Sequence, residues 1–274
     1  MDEIKREELC SLMTVRRVAA MLDIDPDQFK EGDALPPGWQ FVLMGADTPR
    51  STLRGDGFPG LGVPMPDLGL PRLMLAGRTV EFIRDIPIGA PIERRSKVLE
   101  VREKTTKSGP MAVVQISHQL VFDRGDEPAL NETQTYLLMP KAKHTPTSTS
   151  DSSNAAPPGE QSMIVTPDAT MLFQYSALGF NSHKIHIDRA YAQEVEGFPD
   201  LVVNGGLATL LMTEFLRQRL RRKPNILRTR HMAPLYCDRP ILMTSEMLDS
   251  NLKLRAYDAH HTLALEMEVT PNEL

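Results

Sequence analysis

The chain has 274 residues, of which 41% are hydrophobic and 24% are charged, and its formal net charge at pH 7 is −5. Such a chain can bury a sizeable core as one large domain or two ordinary ones. The acidic balance argues against a protein built to wrap nucleic acid. The two cysteines, Cys10 and Cys237, lie far apart, which is no disulfide framework and fits a reducing compartment.

The first ten residues, MDEIKREELC, carry too many acidic groups for a secretory or mitochondrial targeting segment. No apolar run approaches the roughly 20 residues that a membrane helix needs. We therefore predict a cytoplasmic protein with neither a nucleic acid nor a membrane as partner. A mitochondrial matrix location stays open, because a transit peptide is removed after import.

Residues 7–22, EELCSLMTVRRVAAML, predict an amphipathic helix, because Leu9, Leu12, Val15 and Ala19 recur at near-helical spacing. A region rich in glycine and proline follows, and its proline spacing forbids long regular elements.

Strand-like runs come next in the N-terminal half, at residues 77–86, 93–106, 111–123 and 131–139. In the third run, Val114, Ile116 and His118 alternate with their neighbours, which is the pattern of half-buried antiparallel strands. Turns at 107–109 and 124–126 are predicted to join these strands.

The clearest boundary is the segment 141–162, in which Ser, Thr, Pro, Asn and Gly dominate. A segment with so little to bury should lie on the surface as a linker. We therefore predict an N-terminal half at 1–140, a linker at 141–162 and a C-terminal half at 163–274.

The C-terminal half predicts one strong helix at about 205–220, with Leu207, Leu210 and Phe215 on or near one face. Strand-like runs follow at 226–236, 239–249, 251–259 and 262–269. A helix beside antiparallel strands is an α+β layout. Two strand-rich halves around a linker predict two related units that share an interface.

The residues best suited to catalysis are Asn181, His183, His186 and Asp188, which fall within a stretch of eight positions. His186 is either a partly buried imidazole bonded to a backbone carbonyl or a general base. If the segment is extended, His186 and Asp188 face one side and His183 the other. That alternation argues against a metal site on the two histidines, so no metal is predicted.

Other candidates each have an ordinary structural alternative. Asn181 is either a turn residue or the group that orients a water molecule. Gly205 and Gly206 either interrupt the chain before a helix or let a ligand carbonyl approach free backbone N–H groups, and Asn204 is a reasonable N-cap in both cases. Arg72 and Arg78 are either surface charges or ligands for a substrate carboxylate.

Residues 175–192, YSALGFNSHKIHIDRAYA, resemble the hydratase motif of the MaoC-like, type 2 enoyl-thioester hydratases. That motif usually carries an Asp, then Asn-Pro, a catalytic His and an acidic residue. Aligned on His186, the first acid of the family falls on Asn181, its Asn on His183 and its Pro on Lys184. One subgroup has Asn in place of the acid. It contains the mesaconyl-C4-CoA and itaconyl-CoA hydratases and the fungal and mitochondrial 3-hydroxyacyl-thioester dehydratases.

The likeness runs in order through both halves, for example in RGDGFPG at 54–60, LPRLMLAGRTVEF at 70–82 and GFPDLVVNGGLATLL at 197–211. Two stretches depart from the subgroup. Asn204-Gly205-Gly206 stands where His-Gly-Pro is usual. PRLMLAGR stands where relatives have a stretch like PRRMWAGG, so an aromatic residue is absent and Arg78 replaces a glycine. Both departures bear on which acyl group fits.

The resemblance implies a double hot-dog fold, in which each half wraps a curved antiparallel sheet around a helix and the N-terminal helix is reduced. It implies syn addition of water to an acyl-CoA double bond, with no cofactor beyond the coenzyme A of the substrate. His186 would be the general acid/base and Asn181 would stand in for the acid. Gly205, with Gly206, would offer N–H groups to the thioester oxygen. His183, Asn204, Arg72 and Arg78 are further substrate-binding candidates, and a homodimer is compatible with the fold.

Four functions follow, in order of preference. The first is hydration of itaconyl-CoA or mesaconyl-C4-CoA to citramalyl-CoA. The second is dehydration of 3-hydroxyacyl thioesters in fatty-acid or polyketide synthesis. A hot-dog thioesterase and a non-catalytic acyl-CoA binder are the remaining alternatives.

Overall fold

The computed structural model describes residues 2–65, 67–106, 109–123, 125, 127–140, 159–248 and 251–271. The helices and strands in these ranges are β1 (Ile4–Leu9), α1 (Leu12–Met21), β2 (Arg72–Phe82), β3 (Pro91–Thr106), β4 (Gly109–Val121), β5 (Leu130–Met139), β6 (Gln161–Val165), α2 (Ala169–Leu178), α3 (Gly205–Glu214), β7 (Pro224–His231), β8 (Ile241–Leu248), β9 (Asn251–Tyr257) and β10 (Leu263–Pro271).

The strands form one antiparallel sheet in the order β1-β3-β4-β5-β2-β7-β10-β9-β8-β6. The first five strands of the chain occupy one half of the sheet and the last five occupy the other. The halves meet where β2 pairs with β7, from Gly77 opposite Arg230 to Glu81 opposite Ile226. This pairing is the shared interface that the sequence predicts for two related units.

Helix α3 is the central helix of the C-terminal half, and every residue from Leu207 to Glu214 is buried. A helix that is covered on all sides has no need of a polar face, and the sequence of α3 shows none. Trp39 donates a hydrogen bond from Nε1 to the Glu214 carboxylate over 2.7 Å. A segment of the N-terminal half therefore closes over the C-terminal end of α3.

In the described part of the N-terminal half the α-helix is α1, which has ten residues, as α3 has. α1 does not contribute to the second hydrophobic cluster, in which an extended segment packs Phe58, Leu61 and Val63 against β3, β4 and β5. The helix of this half is therefore reduced in the area of sheet that it covers, not in length. Among the described residues, no helix is long and apolar enough to cross a membrane.

The predicted strands of both halves are confirmed, with ends shifted by a few residues. The helix predicted over 7–22 begins only at Leu12. Leu9 belongs to β1, where it is 58% exposed, and the charged run before it forms an edge strand against β3. Helix α2 and strand β6 were not predicted. Of the predicted linker, residues 141–158 lie outside the described ranges, and Gln161 already begins β6.

Candidate active site

A cavity of about 410 Å³ opens beside the N-terminus of α3 and reaches β2 of the N-terminal half. The structure brings eight of the predicted site residues to its wall: Arg72, Arg78, Asn181, His183, His186, Asn204, Gly205 and Gly206. Residues distant in the chain, from both halves of the sheet, therefore share one site.

His186 ends a single turn of 3-10 helix, Lys184–His186, and is buried. Its Nδ1 lies 2.7 Å from the carbonyl oxygen of Val202. Because a carbonyl only accepts, Nδ1 carries the proton and Nε2 keeps its lone pair. Burial, and next the neighbouring His183, lower the pKa of His186 to about 3. The imidazole is therefore neutral at physiological pH and holds a free nitrogen, as a general base requires.

The segment is not extended, so the alternation considered for an extended chain does not apply to it. The ring centroids of His183 and His186 lie 5.3 Å apart at 89°, so both rings are on the same side of the cavity. Asp188 does not accompany them. It is exposed, and its side chain accepts a hydrogen bond from Tyr191 N–H over 3.0 Å. Within the described ranges, no group of three or more His, Cys, Asp or Glu side chains is placed to hold a metal ion.

Asn181 is a turn residue that also lines the cavity. Its Oδ1 accepts a hydrogen bond from His183 N–H over 3.0 Å, and its own N–H donates to Ser176 O over 2.7 Å. With Oδ1 engaged in this turn, the amide has its Nδ2 donor to offer to a molecule in the cavity, which Asn181 lines.

The loop 54–58 of the N-terminal half fastens the histidine-bearing turn in place. The N–H of Lys184 donates to Asp56 O over 2.9 Å, its Nζ donates to Gly55 O over 2.8 Å, and Ser182 Oγ donates to Gly57 O over 2.6 Å. Gly57 has φ +78°, and a Cβ there would lie 2.4 Å from Ser182 O. Only glycine allows this close approach of two backbones.

His183 is held between this loop and His186. Its Nε2 lies 3.6 Å from Asp56 Oδ2, and its ring meets Phe58 edge-on at 5.5 Å between centroids. Asp56 also accepts hydrogen bonds from Arg54 over 2.7 Å and from Phe58 N–H over 3.0 Å. Burial lowers the pKa of His183 to about 4, although Asp56 opposes the shift. Sequence reasoning did not find Asp56, because its neighbourhood with His183 arises only through the fold.

The start of α3 gives the cavity a set of backbone donors. The first N–H groups of a helix have no acceptor within it. At Gly206 a Cβ would lie 2.1 Å from the Tyr175 hydroxyl, and at Gly205 it would lie 3.2 Å from Leu75 and 3.4 Å from His231. Absent side chains at these two positions therefore keep the wall in place and the donors accessible.

The sequence suggested Asn204 as the N-cap of α3. Asn204 occupies that position, but its side chain makes no capping hydrogen bond. Its Nδ2 donates to Ser176 Oγ over 3.2 Å, and its Oδ1 is buried without a hydrogen-bond partner. Asn204 therefore ties α3 to α2, which also carries Tyr175.

Tyr175 and His231 are among the cavity residues that the sequence analysis missed. Tyr175 lies on α2 and stacks on Phe41 at 4.4 Å between ring centroids. Asp168, whose side chain accepts from Met171 N–H over 2.7 Å, is an N-cap signal that could have revealed that helix. His231, at the end of β7, left no comparable signal.

Arg72 and Arg78 are not plain surface charges. Arg72 Nε lies 3.5 Å from Glu196 Oε2, and its guanidinium stands 5.8 Å from the Phe198 ring centroid. Arg78 Nε lies 3.3 Å from Glu132 Oε1, and its side chain is only 10% exposed.

Comparison with solved structures identifies the architecture. A Mycobacterium tuberculosis protein described as having a double hot-dog fold superimposes with a TM-score of 0.62 over 98% of this chain and 95% of that chain, at 13% identity. The sheet of ten strands around α3 is accordingly an α+β double hot-dog fold.

Residues 38–237 match the family described as hydroxyacyl-thioester dehydratase type 2. The mesaconyl-C(4)-CoA hydratase of Chloroflexus aurantiacus is 32% identical over 237 residues, which are 86% of this chain and 83% of that protein. The mitochondrial hydroxyacyl-thioester dehydratase type 2 of Schizosaccharomyces pombe is 26% identical over 205 residues, 67% of each chain. The chain belongs to this MaoC-like family of thioester hydratases and dehydratases, and it is an enzyme of the hydro-lyase class.

Replacing Gly57 by Ala should displace the turn 182–184, because the new Cβ would collide with Ser182 O. We expect kcat/KM to fall by at least about tenfold, since a misplacement of about 1 Å can cost more than that. Gly32→Ala is the matched control, because Gly32 has φ +89° and nothing within 4 Å of its Cβ position. Both variants carry the strain of a left-handed alanine, about 1–2 kcal/mol. Equal activities in the two variants would show that the loop does not position the turn.

Acid should destabilise the protein through its buried imidazoles. The pKa values of His183 and His186 in the folded protein, about 4 and 3, lie below the unfolded value of about 6.5. The unfolded chain therefore binds more protons below pH 6.5, and the free energy of unfolding falls as the pH decreases. At pH 5 each imidazole accounts for about 2 kcal/mol of this loss.

Urea unfolding at pH 7 and pH 5 measures the effect. In His186→Gln the loss between the two pH values should be smaller than in the wild type by about 2 kcal/mol. In the control His260→Gln, which changes an exposed residue, it should equal that of the wild type. An equal loss in all three proteins would contradict the neutral state of His186.

Proposed function

We propose that the enzyme reversibly hydrates a short branched dicarboxylyl-CoA, itaconyl-CoA or mesaconyl-C4-CoA, to citramalyl-CoA. The observation that carries the proposal is the cavity in which a neutral His186, Asn181 and the open N-terminus of α3 face one space. The identity of 32% to a mesaconyl-C(4)-CoA hydratase supports the choice of substrate.

In the forward direction a water molecule lies between His186 and Asn181. On mesaconyl-C4-CoA, whose double bond joins the α- and β-carbons of the thioester, Nε2 of His186 removes a proton as the water oxygen attacks the β-carbon, and the π electrons move to the thioester oxygen as an enolate. The N–H of Gly205, with that of Gly206, stabilises this oxygen, and one such donor is worth on the order of 10²–10³ in rate. The imidazolium then returns its proton to the α-carbon.

The depressed pKa of His186 shapes this sequence of events. An isolated imidazolium is unfavourable at a buried position. Hydration, however, creates the imidazolium and the enolate in the same step, so each charge has its counter-charge nearby. The hydrogen bond from Nδ1 to Val202 O persists throughout and holds the ring. Removal and return of the proton by one ring favour syn addition.

Asn181 acts in this scheme by orienting the water, since an amide cannot transfer a proton at neutral pH. Its Oδ1 is engaged by His183 N–H, so Nδ2 donates to the water oxygen. The imidazole carries the whole of the proton transfer. No cofactor is required beyond the coenzyme A of the substrate.

A second candidate is dehydration of a 3-hydroxyacyl thioester, the same chemistry in reverse on another acyl group. The description of the matching family and the Schizosaccharomyces pombe relative favour it. A carrier-bound substrate would then show no dependence on a distal carboxylate.

The purified enzyme should therefore add one water to mesaconyl-C4-CoA or itaconyl-CoA, detected by mass after chromatography. Hydration of crotonyl-CoA alone would move the enzyme to fatty-acyl chemistry. No water gained on any of the three would contradict CoA-linked hydration by this site.

His186→Ala should lower kcat by roughly 10²–10⁴, because the general base is lost. His260→Ala, at an exposed position, is the matched control and should retain wild-type kcat. Unfolding midpoints of both variants verify that the fold is intact. Wild-type turnover in His186→Ala would refute its role as the base.

A further inference from the structure

A second, smaller cavity of about 120 Å³ adjoins the main one on the side of the N-terminal half. The two cavities share wall residues, which are Phe58, Arg78, Tyr136, Tyr175 and Asn181. The smaller one adds His118 and Gln134 to its wall. Its volume is about that of four water molecules, enough for a short polar group and not for a long acyl chain.

A buried row of polar side chains crosses the sheet beneath this cavity. Ser96 on β3 is opposite His118 on β4, which is opposite Glu132 on β5, and Gln134 on β5 is opposite Arg78 on β2. Polar groups buried between apolar strands cost stability unless they are hydrogen-bonded. A row of this kind in the core, on the wall of a cavity, is expected where a polar ligand binds.

Arg78 is the cation of this row and is incompletely used by the protein. Its Nε lies 3.3 Å from Glu132 Oε1 in an ion pair but is buried without a hydrogen-bond partner, and no hydrogen bond from either Nη group is found among the described residues. A guanidinium has five N–H donors in one plane. The donors that remain lie on a residue that lines both cavities.

Arg78 is not the only group that stabilises the Glu132 carboxylate. The Glu132 oxygens also accept from Gln134 Nε2 over 2.6 Å and from Gln40 Nε2 over 3.1 Å, so neutral dipoles share in stabilising its charge. At His231, on the wall of the main cavity, burial and then the charge of Arg78 lower the pKa to about 3.

Arg72 offers a contrast within the same cavity. It is paired with Glu196 through Nε at 3.5 Å, much as Arg78 is with Glu132, and its guanidinium stands near the Phe198 ring. The two arginines differ in position, because Arg78 lines both cavities and Arg72 lines the main cavity only.

We propose that Arg78 binds the distal carboxylate of a short dicarboxylyl-CoA at the junction of the two cavities, and thereby selects dicarboxylyl over monocarboxylyl thioesters. A planar guanidinium recognises a carboxylate through two parallel hydrogen bonds. The inference rests on the proposed function and deepens it, because it names the residue that decides the substrate class.

The test compares two saturated, unreactive ligands by calorimetry: methylsuccinyl-CoA, which carries the distal carboxylate, and butyryl-CoA, which lacks it. Arg78→Lys keeps a positive charge beside Glu132 but loses the planar fork. The single variant Arg78→Gln would leave the buried Glu132 carboxylate unpaired and could unfold the protein for that reason. The double variant Arg78→Gln with Glu132→Gln removes both charges together and avoids this. Arg84→Gln, at a half-exposed arginine just after β2, is the control.

Wild type and Arg84→Gln should bind methylsuccinyl-CoA more tightly than butyryl-CoA. The Kd for methylsuccinyl-CoA should rise about tenfold in Arg78→Lys and about 10²-fold in the double variant, while that for butyryl-CoA changes less than about threefold. Equal binding of both ligands by the wild type, or equal losses for both in the variants, would overturn the proposal.

Turnover of mesaconyl-C4-CoA and crotonyl-CoA by the same proteins separates the two claims. If the wild type prefers methylsuccinyl-CoA through Arg78 but hydrates neither enoyl-CoA, the carboxylate site stands and the proposed hydration fails. If it hydrates both enoyl-CoA esters equally well and Arg78 variants do not change the ratio, hydration stands and the carboxylate site fails.

Discussion

The hydrogen bonds between the loop 54–58 and the turn 182–184 hold the active site together, because they join one half of the fold to the chemistry of the other. The loop supplies backbone carbonyls to Lys184 and Ser182, and Gly57 lets the two backbones approach. The C-terminal half holds the same segment from the other side, where Val202 N–H donates to Ile185 O and His186 Nδ1 donates to Val202 O. A two-part chain thus makes one site, and neither half contains it alone.

Burial then gives the site its chemical character. His186 loses its charge on entering the core, and Val202 O fixes which ring nitrogen bears the remaining proton. The open start of α3 offers donors for the negative charge that the proposed reaction develops, and Arg78, paired with Glu132, lies at the junction of the two cavities. Together these features form a site that suits a transient ion pair of imidazolium and enolate, in an otherwise apolar interior.

Much of this could be read from the sequence, and the exceptions have physical reasons. Strands with alternating burial, such as β4, and the buried helix α3 follow from periodicity. The sequence leaves the conformation around His186 open, because Ile185 and Ile187 flank it as in a strand, whereas the side chains of Asn181 and Asp188 accept backbone hydrogen bonds in turns there. The face on which Arg78 lies could not be predicted. Strict alternation would put Arg78 and Leu75 on opposite faces of the sheet, but a bulge between Leu75 and Gly77 puts them on the same face. Contacts between the two halves, such as that of Asp56 with His183, leave no sign in the sequence around either residue.

The role of His186 as a neutral general base is tested most sharply by 15N NMR of its imidazole nitrogens between pH 5 and pH 8, with His186→Gln to assign the signals. We expect a neutral ring over the whole range, with the proton on Nδ1 and none on Nε2. A ring that titrates near pH 6.5, or one protonated on Nε2, would contradict the assignment of His186 as the base of this hydro-lyase.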